Sequence, residues 1–207
     1  MGQLIACATS EGILLASDSR TEFFAPGGEE TFLTVNRLIP VGSHAVLASA
    51  GAEEGHELCR DFAAFAKDEG LKDIDALKDA AMSFFTGRYD EAMRKMCEKL
   101  PVDPLHNMYL VLAGFAAGQK EHPARLFIIW NRPQPPKIEF NQVTNIFTLP
   151  RRMGLEYKLS QMVAKKAPLS EIAGAAKAAM EKLAGQDAYI GPPFHFFTIT
   201  AAGVKEV

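Results

Sequence analysis

The sequence predicts an α+β fold, a four-layer αββα sandwich built as one domain over residues 1–207. Short apolar runs alternate along the chain with pairs of amphipathic helical segments, in the order strands, two helices, strands, two helices, strands. Each helix pair has an apolar stripe to bury, so each covers the outer face of one of two packed antiparallel sheets. The composition agrees: 48% of the 207 residues are hydrophobic and 23% charged, enough apolar surface for a single core. No repeat, low-complexity tract or interdomain linker breaks the pattern.

Gln3 to Thr9 and Gly12 to Ser17 are apolar runs separated by the turn-forming Ser10-Glu11-Gly12, and read as a hairpin. A loop rich in Gly, Pro and Glu follows from Glu22 to Glu30. Phe32 to Pro40 and His44 to Ser49, broken at Val41-Gly42-Ser43, form a second pair, so four strands are expected before any helix. Leu58, Phe62, Phe65 and Ala66 recur at helical spacing within Ala52 to Glu69, as do Leu77, Ala81, Phe84 and Phe85 within Ile74 to Leu100. Past the Pro101 to Pro104 break, Met108 to Phe115 and Arg125 to Trp130 flank a polar loop from Gly118 to Pro123 and form another hairpin. After the Pro-rich Pro133 to Pro136 comes a strand within Ile138 to Thr148. Helices are expected over Gly154 to Lys166 and Ser170 to Ala184, with Ser170 as the N-cap of the second. Phe194 to Thr200 and Val204 to Val207 close the domain as a strand pair. The loops at Glu22 to Glu30 and Asn131 to Lys137 are candidate contact rims.

Composition narrows the function. A formal net charge of -3, with both signs scattered, lacks the basic face that binding nucleic acid requires. Cys7, Cys59 and Cys97 are odd in number and without CxxC spacing, which predicts neither disulfides nor zinc and fits a reducing cytoplasm. His44, His56, His106, His122 and His195 show no i, i+4 pair, so neither a metal nor a cofactor is expected. No apolar run approaches the roughly 20 residues of a membrane-spanning helix, and no leader pattern opens the chain. Removal of the initiator methionine is expected to expose Gly2.

One stretch is more specific. Glu11-Gly12-Ile13-Leu14-Leu15-Ala16-Ser17-Asp18-Ser19-Arg20 resembles the "DGVVLAADSR" stretch of proteasome β subunits and their bacterial relatives, of the N-terminal-nucleophile (Ntn) hydrolase superfamily. Further segments resemble that family in order: Arg37 to Pro40 with Ala48 to Gly51, Leu110 to Phe115 with Arg125 to Phe127, and Asp187 to Tyr189 with Thr198 to Thr200. They span nearly the whole chain. The resemblance implies peptide hydrolysis by an N-terminal threonine, whose hydroxyl attacks while its own α-amine takes the proton.

Carried over position by position, that site is degenerate. The threonine falls on Gly2, which has no side-chain oxygen. Asp18 matches the family's buried carboxylate and Gly51 the glycine whose N–H helps form the oxyanion hole. The family's lysine falls on Arg37, which stays charged and cannot share a proton as lysine does. Asp187 is retained, but the serine after it becomes Ile190. Glu22 stands where a substrate-binding threonine is usual, and Thr148 to Arg152 lack the family's Gly-Ser-Gly turn. The expectation is a non-catalytic or altered protein forming a homo-oligomeric ring, with a peptide or unfolded protein as further partner. The alternative is an active threonine peptidase, and a third reading is a cleft turned into a small-molecule or peptide site.

Each residue also has a structural reading. Asp18 and Arg20 can anchor a strand-to-loop turn, and Arg37 can pair with Asp18 or with Asp187. Gly51 can serve as a turn glycine, and Asp187 can terminate the last helix. Cys7, Thr9 and Ser10 are nearby substitute nucleophiles, but exposing any of them as a new N-terminus deletes the first strand. No G-x-S-x-G elbow precedes a helix.

Overall fold

Two short strands, β1 (Leu4–Ala8) and β2 (Ile13–Ser17), form the expected hairpin in the computed structural model, which describes residues 2–24, 30–51, 53–97, 108–116, 124–133, 136–143 and 145–207. Their runs are apolar throughout because both faces are covered. Alternate residues Leu4, Ala6, Ile13 and Leu15 enter one apolar cluster, and Ile5, Cys7, Leu14 and Ala16 enter another.

The chain continues through β3 (Arg20–Phe24), β4 (Glu30–Thr34), β5 (Leu38–Pro40) and β6 (Ala45–Ala50) to helices α1 (Glu53–Asp68) and α2 (Ile74–Cys97). Strands β7 (Tyr109–Phe115), β8 (Ala124–Pro133), β9 (Pro136–Gln142) and β10 (Ile146–Leu149) follow. Helices α3 (Met153–Ala164) and α4 (Leu169–Ala184) then lead to β11 (His195–Thr200) and β12 (Gly203–Glu206). The fold is α+β, with three antiparallel sheets and four helices among the described residues: β10-β1-β2-β11-β12, β5-β6-β7-β8-β9 and the two-stranded β3-β4.

Three apolar clusters hold these elements. In the first, Cys59, Phe62, Leu77, Phe85 and Tyr89 of α1 and α2 pack on Leu47, Leu110, Leu112 and Ile129 of the β5–β9 sheet. Phe62 lies 5.1 Å from Phe85 and 5.3 Å from Phe84, ring centre to ring centre, within the range that adds to simple burial. The second joins the two five-stranded sheets through Leu4, Leu15, Val46, Val111, Leu126 and Ile199. The third packs Leu159, Ile172, Ala176 and Met180 of α3 and α4 on Ile5, Leu14 and Phe196. Each wholly buried leucine or isoleucine contributes about 1.5–3 kcal/mol.

The structure differs from the sequence expectation at several places, among them Asn131 to Lys137, expected as a loop, where Asn131 to Pro133 end β8 and Pro136 and Lys137 open β9 paired against it. Six strands precede the first helix, because Arg20–Phe24 and Glu30–Thr34 pair with each other and Phe32 to Pro40 is split at Val35–Arg37, where the chain passes from β4 to β5. The single strand expected over Ile138 to Thr148 is two, β9 on β8 and β10 on β1, one in each large sheet. Helix α4 starts at Leu169 after Pro168, not at a Ser170 cap; the Leu169 N–H donates instead to Glu11 Oε2 at 2.9 Å, across 158 residues. The break at Pro101 to Pro104, the loop from Gly118 to Pro123, His106 and His122 lie outside the described residues. Among the described residues, no helix is long and apolar enough to cross a membrane.

Candidate functional site

Where β2 ends, the chain turns at Asp18, and its carboxylate enters the interior with none of its surface exposed. Three backbone N–H groups donate to it: Gln3 to Oδ1 at 2.8 Å, Arg20 and Gly191 each to Oδ2 at 3.2 Å. Arg37, in the segment between β4 and β5, places its Nε 3.8 Å from Asp18 Oδ1. Its Nη2 donates to Arg20 O at 2.9 Å and to Thr21 Oγ1 at 2.8 Å. A buried carboxylate persists only with such partners, and here four of them converge, from Gln3, Arg20, Arg37 and Gly191. Burial pushes the Asp18 carboxyl up from its ordinary value, with Arg37 and the three N–H groups opposing it. Burial likewise lowers the Arg37 guanidinium, against the pull of Asp18.

Gly2 lies buried directly above this pair. A Cβ at residue 2 would collide with Asp18 Oδ1 and stand 3.0 Å from both Nε and Nη2 of Arg37. The space beside a Cβ at residue 2 is thus filled by the two charged groups. The Ser19 hydroxyl next to Asp18 is buried and has no hydrogen-bond partner among the described residues.

Asp187 belongs to a neighbouring network and is not paired with Arg37. Arg152 Nη2 donates to Asp187 Oδ2 at 3.2 Å, and Arg152 Nε donates to Gln3 Oε1 at 3.1 Å. Asp187 Oδ1 accepts from the Tyr189 N–H at 3.1 Å, an Asx-type turn that begins the loop to Gly191. The Thr148 to Arg152 turn serves this arrangement: Thr148 Oγ1 accepts from the Arg152 N–H at 2.6 Å and donates to Glu156 Oε1 at 3.0 Å. Arg20 leaves the buried pair, donates from Nη1 to Ala188 O at 2.6 Å and stacks 4.9 Å over the Phe32 ring.

The structure therefore brings Gly2, Asp18 and Arg37 together and sets Asp187 beside them through Gln3 and Arg152. Gly51 closes β6 at φ +90°, a conformation that favours glycine whatever else the residue does. Ile190 is buried. The backbone of Glu22 lies in β3, while its side chain lies outside the described residues. Arg152, Gly191 and Gln3 were not foreseen; the only hint was Arg151-Arg152 at the mouth of a helix, where cations are unfavourable unless a carboxylate receives them. Two of the substitute nucleophiles are held in the fold. Cys7 is buried, which pushes its thiol up to about 12 and holds it protonated. The Thr9 hydroxyl is engaged in its own turn, donating to Gly12 O at 3.0 Å. Among the described residues, no group of three His, Cys, Asp or Glu side chains could hold a metal ion.

No family model matches the chain and no curated protein matches it. Solved structures do. Anbu (ancestral beta-subunit) from Yersinia bercovieri is 19% identical, with a TM-score of 0.69. A structure titled Helical Assembly of the Anbu Complex, from Pseudomonas aeruginosa, is 16% identical, with a TM-score of 0.75. In each case 99% of this chain aligns with 86% of the other. These neighbours correct the resemblance to proteasome β subunits, because they are Anbu proteins, proteasome-like in fold but a distinct family. The stretch from Glu11 to Arg20 misled because it encodes a hairpin strand and the buried carboxylate at its end, which the fold itself needs. At this level of identity the likeness is one of architecture: the chain has the fold of the Anbu proteins.

Proposed function

We propose that the chain is a proteasome-related, self-assembling protein of αββα build, whose centre at residue 2 is structural and not hydrolytic. The observation that carries this reading is steric and electrostatic at once: the Asp18 carboxylate and Arg37 guanidinium fill the position of any side chain at residue 2. Arginine at this position keeps its proton and completes a neutral ion pair, which a site that must pass protons does not tolerate. Arg152 engages Asp187 in the same way. The layered reading draws on the order of the clusters, with helices, sheet, sheet and helices packed in turn. Self-assembly is supported by the Pseudomonas aeruginosa neighbour, whose title describes a helical assembly. A repeated head-to-tail contact gives a ring where the rotation closes and a helix where it does not. A cytoplasmic setting is favoured by Cys7 and Cys59, both buried as free thiols.

Intact-protein mass spectrometry after treatment with a peptide β-lactone, which acylates hydroxyl and thiol nucleophiles, tests the central claim. The native chain is expected to carry no adduct and to leave short fluorogenic peptides uncleaved. A single stoichiometric adduct on the native chain, with peptide turnover, would overturn it.

A further inference from the structure

Towards the β9 edge of the β5–β9 sheet, the edge opposite β5, an open cavity of about 580 Å³ is lined by Tyr109, Ile128, Trp130, Asn141, Gln142 and Val143. The strand register explains how these residues meet. Tyr109 pairs with Trp130, Trp130 with Glu139, and Ile128 with Asn141, so Tyr109, Trp130, Ile128 and Asn141 share the face that the sheet turns towards its partner sheet. Further along the same face, Arg132 pairs with Lys137. The groove thus runs from an apolar interior at Val143, past an aromatic pair, to a charged mouth.

Two features of this groove point to its occupant. The first is backbone. Strand β9 is the last of its sheet, and no described strand lies beyond it. The Val143 N–H donates to Leu126 O at 2.8 Å, so in the antiparallel ladder Ile138, Phe140 and Gln142 direct their N–H and C=O groups away from β8. An edge of this kind accepts another extended strand. The second is charge. At the mouth, Lys137 Nζ lies 2.7 Å and Arg132 Nη1 3.7 Å from the same Glu139 Oε1, two cations on one carboxylate, while all six lining residues are uncharged.

We propose that this groove and edge bind an extended peptide segment, which adds to β9 as a further strand. Its alternate apolar side chains lie beside Asn141 of β9 and Val143 just after it, with Trp130 of β8 next along that face, and an acidic residue faces Lys137 and Arg132. The volume suits one or two large side chains of such a segment. The proposal is independent of whether residue 2 supports catalysis.

Trp130 is the single tryptophan of the chain, so its fluorescence reports on the groove alone. The probe is a synthetic acetylated pentapeptide of alternating valine and phenylalanine ending in aspartate, with a lysine-ended counterpart. The aspartate peptide is expected to shift the emission saturably and to bind at least about tenfold more tightly than the lysine peptide, the scale of one favourable charge contact. Lys137→Glu, at a half-exposed position, is expected to reverse that preference. Gln142→Pro, which removes one outward N–H from an exposed position and leaves the ladder to β8 intact, is expected to weaken both peptides. The absence of a saturable shift with either peptide overturns the proposal. So does an unchanged preference in Lys137→Glu, or an emission shift that follows protein concentration without peptide, which would put a second copy in the groove.

Discussion

Asp18 holds four partners without exposing any surface, and its removal leaves three N–H groups and a buried guanidinium uncompensated. Asp18→Ala is therefore expected to cost about 3–5 kcal/mol, the range for breaking one side of a buried pair, read by urea denaturation; a loss under about 1 kcal/mol would mean the pair is solvated. The pH dependence follows from the direction of the shift. A carboxyl raised in the folded state holds its proton more tightly there than in the unfolded chain. Its contribution is complete below the unfolded value of about 3.9 and is lost as pH rises through the folded value. The stability of the native chain relative to Asp18→Asn, which cannot titrate, is thus expected to decline as pH rises from about 4; a flat difference over that window would refute it. Asp18 and Arg37 entered the sequence reading because the resemblance aligned them, and a buried carboxylate needs a partner whatever its role. Arg152 did not, since its partners Gln3 and Asp187 lie 149 and 35 residues away.

Helix α4 shows how one element depends on another far along the chain. Pro168 precedes it and supplies no side-chain cap, and the Leu169 N–H donates to Glu11 on the β1–β2 turn. The carboxylate also sits at the positive end of the helix. Glu11→Ala is expected to destabilise the protein by about 1 kcal/mol, the usual value of an N-cap, and so to lower Tm by roughly 2–4 °C for a chain of this length. An unchanged Tm in calorimetry would show that the cap contributes nothing. Glu11 entered the sequence reading only as a turn residue, because capping from a distance leaves no local signature. Helices and hairpins with strong periodicity, such as α1, α2 and β1–β2, were readable from their own residues. The division of Ile138 to Thr148 between two sheets was not, because an apolar run carries no record of which strand it will pair with.

At the scale of the whole molecule, the sequence carries the architecture more clearly than the family. The alternation of strand blocks and helix pairs follows from what must be buried, and it is shared with structures only 19% and 16% identical in sequence. Surfaces are where self-assembly must act. Helix α3 exposes 73% of Met153 and 68% of Tyr157, four residues apart and therefore on one face, where an isolated chain would keep polar groups. Under the proposed head-to-tail association this face is expected to be covered. Tyr157→Glu sets a charge into that contact and should reduce the mass measured by light scattering towards that of a single chain. Its circular dichroism should match that of the native chain and its stability should change by no more than about 0.5 kcal/mol, since the residue lies outside the core. A native chain that scatters as a monomer at every concentration would remove the assembly reading itself. A native assembly untouched by Tyr157→Glu would instead move the contact away from α3, leaving the β3–β4 hairpin, where Phe32 and Leu33 expose opposite faces, as the surface to change next.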